Sequence, residues 1–184
     1  MGRNGPNAPR RRGWRAIVPL LLAGALVAPT AAQAPNGEAE AMVRFTLTLA
    51  RFVQWPDGPA APGAPLRLCL LHNSPAVEAA FASRKGLTVT SRPLELRSGA
   101  AVKGATCDLL FVDASAGSVG LDSLASAAAA LTIGSGDGFL SRGGMVELVN
   151  VNDALRFDVN MKALRHAGLG LSAQALKLAR HVQE

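Results

Sequence analysis

Cysteine is scarce in this chain, and so are long apolar runs. Cys69 and Cys107 are its only cysteines. They do not form a C-x-x-C motif, which removes a thioredoxin-like redox role. No cysteine stands at the end of the N-terminal apolar run, so there is no lipobox and no lipid anchor is expected. The histidines His72, His166 and His181 are scattered. With two cysteines they do not give the C-x-x-C or H-x-x-x-H spacings of a metal site. The chain has no G-x-S-x-G elbow, no H-E-x-x-H and no Walker loop, so the familiar hydrolase, metalloprotease and nucleotide-binding signatures are missing. No catalytic residue, metal or cofactor is therefore assigned.

Acidic residues are absent from the first 34 positions, where Arg3, Arg10, Arg11, Arg12 and Arg15 lie. Arg15 leads into Ala16–Ala28, AIVPLLLAGALVA, a run of 13 residues without a charge. It is too short for the roughly 20 residues of a spanning helix. The small residues of PTAAQA follow, with cleavage expected after Ala32 or Ala34. A basic region, a short apolar core and a small-residue site describe a secretory signal peptide. Residues 1–34 are read as that signal and 35–184 as the mature, extracytoplasmic domain. Removing the signal leaves 14 basic against 13 acidic residues. The high isoelectric point belongs to the export segment, and nucleic-acid binding loses the basic patch it needs. About 150 residues remain, enough for one domain with a core of its own.

In an oxidising compartment two cysteines are read first as a disulfide, with buried thiols or a metal site as alternatives. A bridge would close a loop of 38 residues. In the chain-entropy description that contributes about 3–4 kcal/mol.

Periodicity organises the rest. Met42, Phe45, Leu49, Phe52 and Val53 recur at helical spacing over Glu38–Val53, and a Pro/Gly-rich loop follows from Pro56. LRLCLL (Leu66–Leu71), CDLLFVD (Cys107–Asp113) and LTIGS (Leu131–Ser135) are continuous apolar runs, as in parallel strands buried on both faces. Ser74 and Pro75 open a helix to Ser83, and two short strands are expected over Leu87–Arg97. Asp122–Ala130 reads as an alanine-rich helix. Asn152–Asp153 turns a hairpin between MVELVNV and ALRFDVN. Two helices are expected to close the chain: Met161–Ala167, ended by Gly168, and Ser172–Val182, capped by Ser172. The fold class is α/β: a single domain with a mixed, mostly parallel sheet flanked by helices, ending in a hairpin and two helices.

Few side chains suggest function. GSGDG at Gly134–Gly138 lacks the GK[ST] ending of a phosphate loop and reads as a turn. Asp108 and Asp113 flank a strand, where carboxylates face solvent or cap a turn. Trp55 beside Phe52 and Pro56 either covers the core or anchors a partner. Arg165 and His166 form a solvated helix face or grip an anionic ligand or partner carboxylate.

The ordered pieces FVQWP, LRLCLLHN, CDLLFV and the run from Leu131 to Arg180 resemble the YfiR family of periplasmic proteins. The resemblance covers roughly Ala41 to Val182. Its most specific part is Gly138–Phe139, Gly143–Gly144, Phe157–Asn160, Gly168–Ser172 and Leu178–Ala179, in that order. It implies an α/β fold and regulation rather than catalysis. Well-known members repress a membrane-bound diguanylate cyclase by binding its periplasmic portion, and an outer-membrane lipoprotein relieves the repression by sequestering them. A homodimer is also implied, as is a disulfide between Cys69 and Cys107. The second cysteine pair of the best-known member has no counterpart before Gly143–Gly144. A periplasmic small-molecule-binding module is the alternative from another functional class.

Overall fold

The computed structural model describes residues 1–2, 35–55, 63–127 and 129–184. The expected export signal, beyond its first two residues, and Pro56 lie outside the described residues. The elements below belong to the compact unit Ala32–Glu184.

Helix α1 (Pro35–Phe52) runs directly into the two-residue strand β1 (Val53–Gln54). The most buried stripe of α1 is Ala39, Val43, Thr46, Leu47 and Ala50, joined by Leu49. Met42, Phe45 and Phe52 are only half-buried. Of the expected apolar face, Leu49 and Val53 are buried, while Met42, Phe45 and Phe52 pack against the same core from its margin.

Strand β2 (Leu66–Leu71) is followed by α2 (Pro75–Ala82), then β3 (Thr88–Val89) and β4 (Arg92–Ser98). Ser74 caps α2 as its sequence position predicts, its Oγ accepting from the Val77 N–H at 3.4 Å. Strand β5 (Leu109–Val112), α3 (Gly117–Asp122), β6 (Leu131–Ser135), β7 (Val146–Val151) and β8 (Ala154–Asn160) continue the chain. Next come α4 (Met161–His166), β9 (Gly170–Leu171), α5 (Ala173–Leu176) and β10 (His181–Gln183).

Eight strands form one sheet in the order β10-β8-β7-β6-β5-β2-β4-β3. The pairs from β4 through β7 are parallel, β7–β8 and β3–β4 are antiparallel, and β10 runs parallel to β8. Alternation sorts the apolar runs between two cores. Leu66, Leu68, Leu70, Leu109, Phe111, Leu131 and Ile133 share one core with α1 and α2. Cys69, Leu110 and Val112 meet Leu124 and Phe139 in the other. The hairpin turns at Asn152 and Asp153, whose φ angles of 50° and 59° suit a type I′ turn.

Two expected helices were corrected. The Asp122–Ala130 segment begins earlier, as α3, and tightens into a 3₁₀ turn over Ser123–Ala127. Alanines bury too little surface to hold a longer helix, and Leu124 is the one buried residue of that turn. The Ser172–Val182 helix is reduced to the four residues of α5, after which the chain extends as β10. The edge of β8 supplies the competing partner: Arg180 N–H donates to Phe157 O at 2.9 Å, starting a new ladder.

Candidate partner-binding surfaces

Phe139 explains the glycines around it. Its ring is fully buried, and a Cβ on Gly134 or Gly144 would approach it to 2.4 or 2.3 Å. Gly143 turns the chain with φ +91°, a conformation other residues resist. Asn160 then ends β8 and caps α4, its Oδ1 accepting from Ala163 N–H at 3.0 Å. Gly168, at φ +73°, releases the chain from α4 into β9.

Strand β9 ties the end of α1 in place, through the pairs Val53↔Leu171 and Gln54↔Gly170. A Cβ on Gly170 would sit 2.7 Å from Gln54 Oε1, so glycine permits this close pairing. Ser172 N–H donates to Phe52 O at 3.0 Å, and Ser172 Oγ caps α5. The residues from Gly168 to Ser172 thus position Phe52.

Beside Phe52 lies an apolar groove of about 340 Å³. Arg44, Phe45, Thr48 and Phe52 line its α1 wall, with Phe157, Ala175 and Leu178 opposite. Phe45 meets Phe157 edge to face with centroids 6.3 Å apart. Leu178 is 72% exposed. Trp55, one strand beyond Phe52, is half-buried against the same core.

Arg165 and His166 are elsewhere. With Arg142 and Lys162 they line a cleft of about 1020 Å³, in which Asp122 is the acidic lining residue. Arg165 reaches Glu184 at 2.8 Å, both being exposed. This cleft shares no lining residue with the groove, so the aromatic and basic candidates do not form one site. Phe45 and Leu178 were missed because the spacing gives Phe45 only as part of an apolar helix face and puts Leu178 inside a longer helix. The Phe45–Phe52 spacing of two turns was the usable signal.

Three at least partly buried carboxylates, Asp108, Asp158 and Glu147, shape the electrostatics. Burial pushes the Asp108 carboxyl up, but the Arg67 hydrogen bonds and the Arg92 charge outweigh it and hold it below the usual range. Arg67 grips Asp108 at 3.0 Å from both Nε and a terminal nitrogen, and Arg92 adds 2.9 Å. This carboxylate locks the start of β5 to β2 and β4; it is not a free acid facing solvent. Arg180 likewise lowers Asp158, and burial raises Glu147. Cys69 and Cys107 are bridged, with Cα atoms 5.8 Å apart and Cys69 fully buried. Among the described residues no group of three or more His, Cys, Asp or Glu is placed to hold a metal ion.

The YfiR/HmsC-like family profile matches residues 39–180. The chain belongs to the YfiR/HmsC-like family. This family is periplasmic, regulatory and non-catalytic. No curated protein matches the chain. Among solved structures it is similar to one described as the ABC domain in complex with L-Trp from Streptococcus pneumonia, at 14% identity and TM-score 0.53. That match covers 78% of this chain and 60% of the other. A conserved domain protein from Vibrio cholerae O1 biovar El Tor gives 14% identity and TM-score 0.51, covering 79% and 60%. The YfiR/HmsC-like chain thus spans 60% of the length of each, and these neighbours show the α/β fold alone. Among the described residues no helix is long and apolar enough to cross a membrane.

Proposed function

We propose that this protein is a periplasmic regulator that represses a membrane-bound diguanylate cyclase by binding the cyclase's periplasmic portion. Residues 1–34 direct export and are cleaved, and residues 35–184 form the working domain. Binding favours the cyclase's inactive arrangement, so regulation is a population shift and not a reaction. The domain acts as a homodimer, and an outer-membrane lipoprotein relieves repression by sequestering it, so envelope state reaches cyclic di-GMP synthesis.

The observation that carries this reading is family membership over residues 39–180. Supporting it, Phe45, Phe52 and the exposed Leu178 surround a groove with the apolar character of an interface core. Trp55 and, by its place next to it in the sequence, Pro56 are assigned to the same contact, and Arg165 and His166 to a second, polar one. Deleting the gene in a host that carries the cyclase should raise cyclic di-GMP and biofilm formation. An unchanged cyclic di-GMP level in that host would overturn the assignment.

A further inference from the structure

Strand order reverses between β2 and β5: from β2 the chain passes through α2 to β4 on one side, then returns to β5 on the other. The loops leaving β2 and β5 therefore diverge at their carboxyl ends, the position where open α/β sheets hold ligands. A cavity of about 630 Å³ lies there. That is within the range of small-molecule sites. It is a different place from the apolar groove and the basic cleft, and neither the fold's glycine signature nor the proposed repression uses it.

Asp113, only 6% exposed, lies in this cavity at the carboxyl end of β5. Of the described acidic residues, Asp113 and Asp158 are the two that are buried. Asp158 has Arg180 as its counter-charge; Asp113 has no cationic partner among the described residues. It accepts from the Ser115 N–H at 3.0 Å, from the Ser115 hydroxyl, and from the Ser135 hydroxyl at 3.2 Å. These neutral donors orient the carboxylate and cap the turn at Ala114, but they supply no positive charge. Buried charges are ordinarily paired, because an uncompensated one carries a large desolvation cost.

The remaining lining fits a cation with an apolar body. Met42, Val77, Leu148 and Leu155 form apolar wall, while Glu38 and Asp137 add negative charge. Arg180 is the one cation in the lining, and both its Nε and a terminal nitrogen are committed to Asp158. An anionic ligand would meet three carboxylates and no uncommitted cation. Gly136, from the GSGDG segment, turns with φ +110° and keeps the loop after β6 low against Ala114.

We propose that the cleft at the carboxyl edge of β2, β5 and β6 binds a small molecule carrying a protonated amine on an apolar body, with Asp113 as the counter-ion. The inference stands independently of the cyclase partner. It is tested by amide chemical-shift titration of the purified protein with hexylammonium, hexanol and hexanoate. Hexylammonium should shift the amides of Val77, Asp113, Ser115, Ser135 and Gly136 saturably. It should bind at least about tenfold more tightly than hexanol, since a charge-assisted hydrogen bond contributes more than a neutral one. Hexanoate should bind most weakly. Asp113→Asn should remove the preference for the amine over the alcohol. Met42→Lys, which leaves the Asp113 turn intact, should block hexylammonium and preserve the thermal transition. Equal binding of hexylammonium and hexanol, tighter binding of hexanoate, or unchanged hexylammonium binding in both variants would overturn the proposal.

Discussion

Arg180 closes on Asp158 with two hydrogen bonds, at 2.9 Å from Nε and 2.5 Å from a terminal nitrogen. The pair joins the last loop to β8 just where β10 begins, so it acts as a clasp on the sheet edge. The Arg180 hydrogen bonds hold the Asp158 carboxyl below the usual range, against the opposing effect of burial. A depressed carboxyl contributes stability above its unfolded value and loses it as pH falls through the folded one. Arg180→Gln should therefore lower the unfolding midpoint at pH 7. The gap from the parent should close as pH falls below the ordinary carboxylate value of about 4. Thermal melts across that range check it; a gap independent of pH would contradict the clasp.

Glu147 pairs with Asp158 across the hairpin, yet its linkage has the opposite sign. Burial raises its carboxyl against the backbone donation from Leu140, and the Asp158 and Asp137 charges add to the rise while Arg180 opposes it. A raised carboxyl weakens the fold as pH rises through its folded value, because the folded state resists ionisation. Glu147→Gln should thus be neutral in acid and stabilising at neutral pH. Denaturant midpoints at pH 4 and pH 7, compared with the parent, read the sign directly.

The Phe139 slot predicts an order among three substitutions. Phe139→Ala should cost about 3–5 kcal/mol, the range for emptying a buried aromatic site. Gly144→Ala should cost about 1–3 kcal/mol by overpacking, since its Cβ would also sit 2.7 Å from the Phe139 carbonyl oxygen. Gly143→Ala has open space around it and should cost about 1 kcal/mol, from its positive φ alone. Urea unfolding of the three variants tests the ranking, and a Gly143 variant worse than Gly144 would refute the packing account.

Cys69 and Cys107 fasten β2 to the segment entering β5, at a sequence separation of 38. Replacing both by alanine should cost about 2–4 kcal/mol, part of it from the buried Cys69 site. Mass analysis of the intact protein before and after reduction should differ by the two hydrogens of one bridge. Identical masses would remove the disulfide.

Much of this architecture was legible because local and tertiary preferences agree there. LRLCLL, CDLLFV and LTIGS are short apolar runs that read as buried strands and form them, and Ser74, Asn160 and Ser172 cap their helices from the positions where such residues are favoured. The sequence misled where a tertiary partner competed with local helix propensity. Ala173–Gln183 contains good helix formers, but β8 offered an open edge and Asp158 a counter-charge for Arg180. On α1 the apolar spacing located the packed face through Leu49 and Val53, but size does not order burial there: Val43 and Ala50 are more buried than Met42, Phe45 or Phe52. The surface candidates were harder still. Nothing in the spacing of Phe52 and Leu178 reveals that they border one groove, because β9 and α5 bring them together only after the chain has folded back.

That groove gives the most direct test of the regulatory reading. Leu178 is 72% exposed and makes part of the wall opposite Phe45 and Phe52. A substitution at so exposed a position should change stability by no more than about 0.5 kcal/mol. Placing a charge in an apolar interface should still weaken partner binding by about 2 kcal/mol or more, some thirtyfold in affinity. Leu178→Glu should therefore keep its melting transition and lose repression, raising cyclic di-GMP toward the level of the deletion strain. Leu87→Glu provides the control, since Leu87 is also exposed, at 48%, and does not line the groove. If Leu178→Glu represses as well as the Leu87 control, the cyclase contact lies on another face.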